Sequence, residues 1–217
     1  RGVDLSLFDA LAVPGARVIK LSEDWRLSDG IPVVMLPGRL TRWKGQRLLL
    51  DALTRVDRRD FIAVMVGDES RAGFRAELED FVNRQGLQSV VRFAGHAADM
   101  PAAFMLADVV VSASTDPEAF GRVVVEAQAM GRPVIAPDHG GACETIRHGE
   151  TGWLFRPGDP AALAGAIERA LDIDPPTRQR MAQAAVENVR SRYTKELMCD
   201  RTLEIYREVA TAARRRG

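Results

Sequence analysis

The sequence predicts a doubly wound α/β fold, a parallel sheet covered by helices on both faces. Three observations lead there. Short valine-rich apolar runs alternate with longer amphipathic stretches. Most of the short runs are apolar throughout, which suits strands buried on both faces of a parallel sheet. Turn-forming residues stand beside them.

Residues 15–27 are expected to form a small helix ahead of the sheet. Strands are expected at 33–36, 61–66, 90–93, 109–111, 133–136 and 153–155. Between them, 47–56 places Leu48, Leu49, Ala52, Leu53 and Val56 on one helical face, and 74–85 does the same with Phe74, Leu78, Phe81 and Val82. Helices at 101–107 and 123–130 complete the series. Gly86 and Gly131 stand where a left-handed residue ends a helix. Beyond Phe155 the pattern changes. Asp159 caps a helix opened by Pro160 and running to about Leu171. Pro175-Pro176 punctuates, and two more helices follow at about 177–190 and 195–214. The last carries Leu203, Tyr206 and Val209 at helical spacing. Its closing Arg214-Arg215-Arg216 reads as a solvated helix end that suits the dipole. The expected sheet has six parallel strands in the order 3-2-1-4-5-6, with residues 33–36 first and central. The final helices pack outside it.

The totals narrow the function classes. In 217 residues, 46% are hydrophobic and 28% charged, enough apolar side chains for a core of one large domain. Lys plus Arg equals Asp plus Glu at 30 each, so no net field argues for nucleic acid or an anionic membrane. Cys143 and Cys199 make no disulfide framework. No run reaches the ~18 apolar residues of a membrane-spanning helix. The chain opens at Arg1 without a Met and reads as a fragment, so the lack of a leader says little about a full protein.

Chemistry concentrates after two strands. The stretch "STDPEAFGRVVVEAQAMGRP" joins a strand ending at Ser112 to the helix at 123–130 through the turn signal Asp116-Pro117. Phe120, Gly121, Arg122 and Val123 then lie at a helix N-terminus beyond the carboxyl end of a strand, where open α/β sheets bind ligands. Free N–H groups and the dipole attract phosphate there, and Gly121 allows close approach. Glu118 would repel that phosphate and makes more sense aimed at hydroxyl groups beside it. Glu126, one turn into the helix between Val125 and Ala127, needs a partner, and a ribose diol is a good one. On spacing alone the plain alternative stands level: one glutamate favouring the dipole and one simply solvated.

The second candidate is "PGRLTRWKG", residues 37–45, after the first sheet strand. A glycine-containing loop with Gly38, Arg39 and Lys44 can clamp a diphosphate, Arg39 by its planar fork and Lys44 as a point charge. It is neither a Walker A loop nor a Gly-x-Gly-x-x-Gly loop. A basic surface loop is the plain alternative. Other features carry less. Asp172-Ile173-Asp174 has the form of a metal site but sits far from the strand tips. His96 follows Gly95 after a strand, so its backbone can border a ligand. His139 stands nearer the site, and His148 is expected on the surface. Cys143 is expected to pack and not to react. Trp25, Trp43 and Trp153 are too scattered for a nucleic-acid stacking platform.

Taken together these residues resemble the donor-binding, C-terminal half of a retaining GT-B glycosyltransferase of family 4. "RGVDLSLF" resembles that family's opening Asn-Gly-Val-Asp segment, with Arg1 in place of Asn. "PGRLTRWKGQRLLLDAL" resembles its Gly-Arg-Leu-x-x-x-Lys-Gly loop. "VMVGDES" and "VRFAGHAADMPAAFMLADVVVSAS" follow in the family's order. "PEAFGRVVVEAQAMGRPVIAPDHGGACETI" resembles the Glu-x7-Glu signature with its Gly-Gly turn, and "GETGWLF" closes the sheet. The similarity covers nearly the whole chain.

The resemblance implies roles. Arg39 and Lys44 would hold the donor diphosphate and stabilise the leaving group, helped by backbone amides from Phe120 to Val123, with Ala119 also among the donor-binding residues. Glu126 would bind the ribose and Glu118 the hydroxyls of the transferred sugar. Backbone at Gly95-His96 would border the base. Arg122 stands where many relatives have an apolar residue, a departure that bears on donor choice or on nothing. Residues 1–217 would form the nucleotide-sugar-binding domain. An acceptor-binding N-terminal domain would precede them, with the last helix reaching across to it and turnover by this fragment alone poor. The donor is a substrate; no cofactor and no metal are implied. The resemblance implies a hexosyl transfer to a glycan or lipid-linked acceptor in cell-envelope polysaccharide or lipopolysaccharide synthesis. The location implied is the cytoplasm, with peripheral contact of the full-length enzyme at the inner face of the membrane.

Three other readings fit the sequence less closely. A glycoside hydrolase using Glu118 and Glu126 meets a spacing problem, since eight helical residues rise about 12 Å and hydrolytic pairs stand about 5–9.5 Å apart. A dehydrogenase lacks its dinucleotide loop and leaves Arg39 and Lys44 unexplained. A non-catalytic α/β nucleotide-binding or interaction module remains as the alternative.

Overall fold

The computed structural model describes residues 1–69 and 72–214. Its centre is a six-stranded parallel sheet in the order β3-β2-β1-β4-β5-β6. The strands are β1 (Val33–Pro37), β2 (Ile62–Val66), β3 (Val91–Gly95), β4 (Val109–Val111), β5 (Val134–Pro137) and β6 (Gly152–Phe155). β1 is central, between β2 and β4, as the all-apolar run Val33-Val34-Met35-Leu36 requires. Its side chains alternate between two cores. Val34 and Leu36 pack on one face with Ala63, Met65, Val109, Val111, Ile135 and Trp153. Val33 and Met35 pack on the other with Val64, Val66, Val110, Val134 and Ala136. β1, β2, β4 and β5 therefore read as continuously apolar because both of their faces are covered, whereas β3 at the edge carries Arg92 and is largely half-buried.

The connections supply the cover. α2 (Gln46–Leu53), α3 (Phe74–Arg84) and α7 (Pro160–Asp172) pack on the first face through Leu49, Leu53, Leu78 and Ile167. α4 (Met100–Leu106), α5 (Arg122–Ala129) and α6 (Ala142–Thr145) pack on the second through Phe104, Val125 and Ala142. α1 (Gly15–Asp24) lies against α4, where the fork of Arg17 holds Asp99 at 2.7 and 2.5 Å. Asp99 also caps α4, accepting from the Ala102 N–H at 3.1 Å, which puts both jobs on one carboxylate. Gly86 and Gly131 end their helices with φ of 67° each.

The observed bounds differ from the sequence expectations by one or two residues at most ends. The expected break falls between α7 and α8 (Pro175–Arg192), and Pro175-Pro176 form the first turn of α8, two residues ahead of the expected start, because Asp174 caps it through the Thr177 N–H at 2.8 Å and proline suits a first turn. α8 packs on the outer side of α5 and buries Met181, Ala185 and Val189. α9 (Lys195–Arg214) follows, with Leu203, Tyr206 and Val209 exposed. Arg215 and Arg216 of the terminal arginine run lie outside the described residues. The N-terminal segment is tied to the α8–α9 junction. The Val3 N–H donates to Tyr193 O at 2.8 Å, and Lys195 Nζ meets Asp4 at 2.7 Å. That contact with Lys195, with help from Ser6, holds the Asp4 carboxyl down at about 2.

Candidate functional site

The strand order reverses between β1 and β4, so the loops leaving their carboxyl ends diverge and open a crevice. Two backbone contacts bring these loops together again. Gly45, with a left-handed φ of 75°, lies so close to β4 that a Cβ there would stand 1.8 Å from Ala113 O. The Thr115 N–H donates to Trp43 O at 2.8 Å. Behind the first loop, buried Gln46 donates from Nε2 to Arg39 O at 2.9 Å and fixes the loop's start.

This docking joins Lys44 and Glu118, 74 residues apart in the chain, at 2.9 Å between Nζ and Oε1. Their side chains are only 18% and 22% exposed. Lys44 Nζ also sits 4.4 Å from the centre of the Trp43 ring. Glu118 Oε1 takes a second hydrogen bond, from the hydroxyl of buried Ser114. A third loop, leaving β5, completes the wall. His139 Nε2 lies 3.1 Å from Ser114 O, and the Gly141 N–H donates to Glu118 O at 2.7 Å. Arg39 is exposed beside this assembly.

Gly121 is left-handed, with φ of 75°, and turns the chain into α5. The N–H groups of Arg122 and Val123 find no backbone acceptor among the described residues, leaving the positive end of the dipole open. Phe120, half-buried before the turn, packs edge-on against Tyr193 at 6.0 Å. Ala119 is exposed and Val123 half-buried. Glu126 is buried one turn into the helix. The partner its burial calls for is Arg122, whose NH2 and Nε lie 2.9 and 3.2 Å from Glu126 Oε1.

Gly95 ends β3, and its carbonyl accepts from the Gly67 N–H at 2.7 Å. It stands two strands from β1, about 10 Å by the usual strand spacing. His96 is exposed just beyond. The predicted residues thus fall along the carboxyl edge of β3, β2, β1 and β4 in two groups: Gly38, Arg39, Lys44 and the 118–126 stretch around the switch point, and Gly95-His96 to one side.

Other sequence candidates have structural partners. Asp172 pairs with Arg58, and Asp174 caps α8. His148 is exposed and accepts from the Leu154 N–H at 3.0 Å through Nδ1. Cys143 does not pack, contrary to the sequence expectation. It lies exposed beside Glu144 on the single turn of α6 because that short helix turns only Ala142 and Thr145 inward. Its thiol is held above the ordinary value by partial desolvation, then by the Asp138 carboxylate 3.3 Å away, so the reactive thiolate is disfavoured. Among the described residues no group of three or more His, Cys, Asp or Glu is placed to hold a metal.

A doubly wound sheet whose switch point combines a lysine-bearing loop, an open helix N-terminus and two largely covered carboxylates is an α/β domain of the kind that receives ligands at the carboxyl ends of its strands. The family model for Glycosyl transferases group 1 matches residues 19–188, and the chain belongs to that family. The phosphatidyl-myo-inositol mannosyltransferase of Mycobacterium leprae is 36% identical over 216 residues, which are 94% of this chain and 55% of that protein. A glycosyltransferase from Rickettsia africae superposes with a TM-score of 0.93 at 34% identity, over 97% of this chain and 56% of that one. Anabaena HepE, solved in complex with UDP-glucose, superposes with a TM-score of 0.86 at 32% identity, over 95% of this chain and 56% of that one. The chain spans about half the length of the relatives it matches.

Proposed function

We propose that this chain is the donor-binding domain of a retaining GT-B glycosyltransferase of family 4, and that it binds a nucleoside diphosphate sugar at the β1–β4 switch point. The observation that carries the reading is the meeting of Lys44 and Glu118 across 74 residues, beside the open N-terminus of α5. In glycosyl transfer the bond between the anomeric carbon and the phosphate oxygen breaks, and negative charge collects on the departing diphosphate. Arg39, Lys44 and the amides from Phe120 to Val123 take up that charge in a partly dry crevice. An ammonium has three donors, so Lys44 can keep Glu118 and still reach a phosphate. These groups do the work that a divalent ion does in other transferases, so no metal or cofactor is assigned.

Glu126 is assigned to the ribose and Glu118 to hydroxyls of the transferred hexose. Arg122 engages only Oε1 of Glu126, leaving Oε2 for a diol. Arg122 itself sits in the first turn of α5, where a cation opposes the dipole. A bound diphosphate would reverse that penalty, which supports its place among the donor-binding residues. Gly38, Gly95 and His96 border the nucleotide through backbone, and Ala119 lines the sugar side.

The acceptor is assigned to an N-terminal domain outside this chain, with α9 reaching towards it. The mycobacterial relative acts on a phosphatidylinositol by its name, which supports a lipid-linked acceptor here; a glycan acceptor and a role in the cell envelope are part of the same proposal. None of the described helices is long and apolar enough to cross a membrane. Peripheral contact from the cytoplasmic side is the arrangement proposed for the full-length enzyme.

Calorimetric titration with UDP, GDP, ADP and their hexose conjugates tests the reading. One nucleotide series is expected to bind. Glu126→Gln should weaken the diphosphate and its conjugate alike, whereas Glu118→Gln should lower only the affinity that the sugar adds. A chain that binds no nucleotide is an interaction module, and the proposal fails. Identical profiles for the two variants would overturn the division between them.

A further inference from the structure

Glu118 uses its two carboxylate oxygens unequally. Oε1 accepts from Lys44 Nζ and from the Ser114 hydroxyl, whereas Oε2 accepts from none of the described residues. Ser114, Glu118, Gly121 and His139 line one small cleft beside the α5 N-terminus. The last torsion of a glutamate is broad, so a carboxylate held by one flexible lysine can swing its plane and with it the direction of its second oxygen. Ser114 is a different kind of donor. It is buried, its side chain has one torsion, and its backbone carbonyl is itself held by His139 Nε2 at 3.1 Å. A hydroxyl so placed, on the same oxygen as Lys44, fixes the plane of the carboxylate and hence the direction in which its other oxygen faces a ligand.

The geometry points to Ser114 as a positioning residue for Glu118, setting Oε2 to accept from a hydroxyl of the donor's sugar. The inference rests on the nucleotide-sugar reading above. Ser114 touches no donor atom in this account. It acts by holding the carboxylate, and His139 acts one step further back by holding Ser114.

The experiment compares affinities of the 217-residue chain for a nucleoside diphosphate and for its hexose conjugate. The pair used is the one from the UDP, GDP and ADP series with the largest difference in the unsubstituted chain. Ser114→Ala is expected to lower the extra affinity of the conjugate by about 3- to 10-fold, the range of one hydrogen bond. The affinity for the diphosphate alone should stay within about 2-fold, and thermal melting should show a folded chain. Ser114→Thr, which keeps the hydroxyl, should restore the difference. In a Glu118→Ala background, Ser114→Ala should cost the conjugate nothing further, because the group it positions is gone.

The outcomes separate. If the unsubstituted chain binds no nucleotide, the functional reading fails and this inference with it. If the conjugate binds more tightly and Ser114→Ala leaves that margin intact, only the role of Ser114 is overturned. Equal losses for diphosphate and conjugate, or additive losses in the double variant, would make Ser114 a structural residue and overturn it too. A conjugate no tighter than its diphosphate would remove the sugar contact from Glu118.

Discussion

Glu118 and Glu126 stand eight positions apart and are held by opposite means. Glu118 meets a lysine from a loop 74 residues away as well as a serine four positions earlier, just beyond β4, and its backbone is pinned by a third loop. Glu126 meets an arginine one turn earlier on its own helix. The first arrangement exists only when β1, β4 and β5 are assembled. The second exists in any helix that spans residues 122–126. Burial sharpens the contrast. Both members of the Lys44–Glu118 pair are largely covered, whereas Arg122 is 75% exposed above an almost buried Glu126. The rigid carboxylate is therefore the one assigned to sugar, where stereochemistry must be read. The one with a mobile partner is assigned to ribose, common to every nucleotide.

The contrast can be broken by substitutions of graded size. Gly45→Ala should have the largest effect, because its Cβ would collide with the Ala113 carbonyl and L-residues avoid its left-handed backbone. A loss of about 3 kcal/mol is expected by denaturant unfolding, together with weaker diphosphate binding as Lys44 and Glu118 part. An unchanged Lys44 site would show that the loops do not depend on this contact.

Next come Lys44→Ala and Arg39→Ala. Each should remove a charge-assisted contact of about 1.5–3 kcal/mol, hence about 10- to 150-fold in affinity for UDP or GDP. The free nucleoside should be little affected. Equal losses for nucleoside and diphosphate would place these side chains away from the phosphates.

Gly121→Ala probes the local side of the comparison. It shares the left-handed backbone of Gly45 but has open space, its nearest neighbours being Val124 side-chain atoms at 3.7 Å. Only the backbone penalty of about 1–2 kcal/mol should be seen in thermal melting. A cost matching that of Gly45→Ala would erase the distinction between a local turn and a docked one.

Arg122→Ala should change stability least, by about 0.5 kcal/mol or less, because exposed i,i+4 pairs are weak and this one runs against the dipole. A loss above about 2 kcal/mol in unfolding would show that burial of Glu126 depends on the arginine.

What local sequence encodes was legible before the fold was known. Val33-Val34-Met35-Leu36 announces a strand covered on both faces, and Asp159-Pro160 announces a capped helix, because each depends on neighbours within a turn or a pleat. Pro175-Pro176 announces the break between two helices, and the Asp174 cap makes the prolines the first turn of the second. Arg39, Lys44, Glu118 and Glu126 were legible as a set through spacing and family resemblance. That Lys44 rests on Glu118 was not, nor was the part played by Ser114, Gln46 and His139. Nothing in the sequence around Ser114 marks its hydroxyl, and Cys143 looked like a packing residue until α6 proved too short to bury it.

By itself the sequence determined the alternation of strands and helices, the central place of residues 33–37, and the clustering of ionisable groups after the first and fourth strands. Periodicity, caps and turn residues act over a few positions and need no partner from elsewhere. The tertiary structure alone decided which of those groups touch. The parallel register that sets Val34 beside Val109 and Met35 beside Val110 brings Gly45 against Ala113, and that contact carries Lys44 to Glu118. A hydrogen bond forms over about 3 Å, so a pairing between residues 74 apart is fixed by strand register and loop docking, which no local pattern contains.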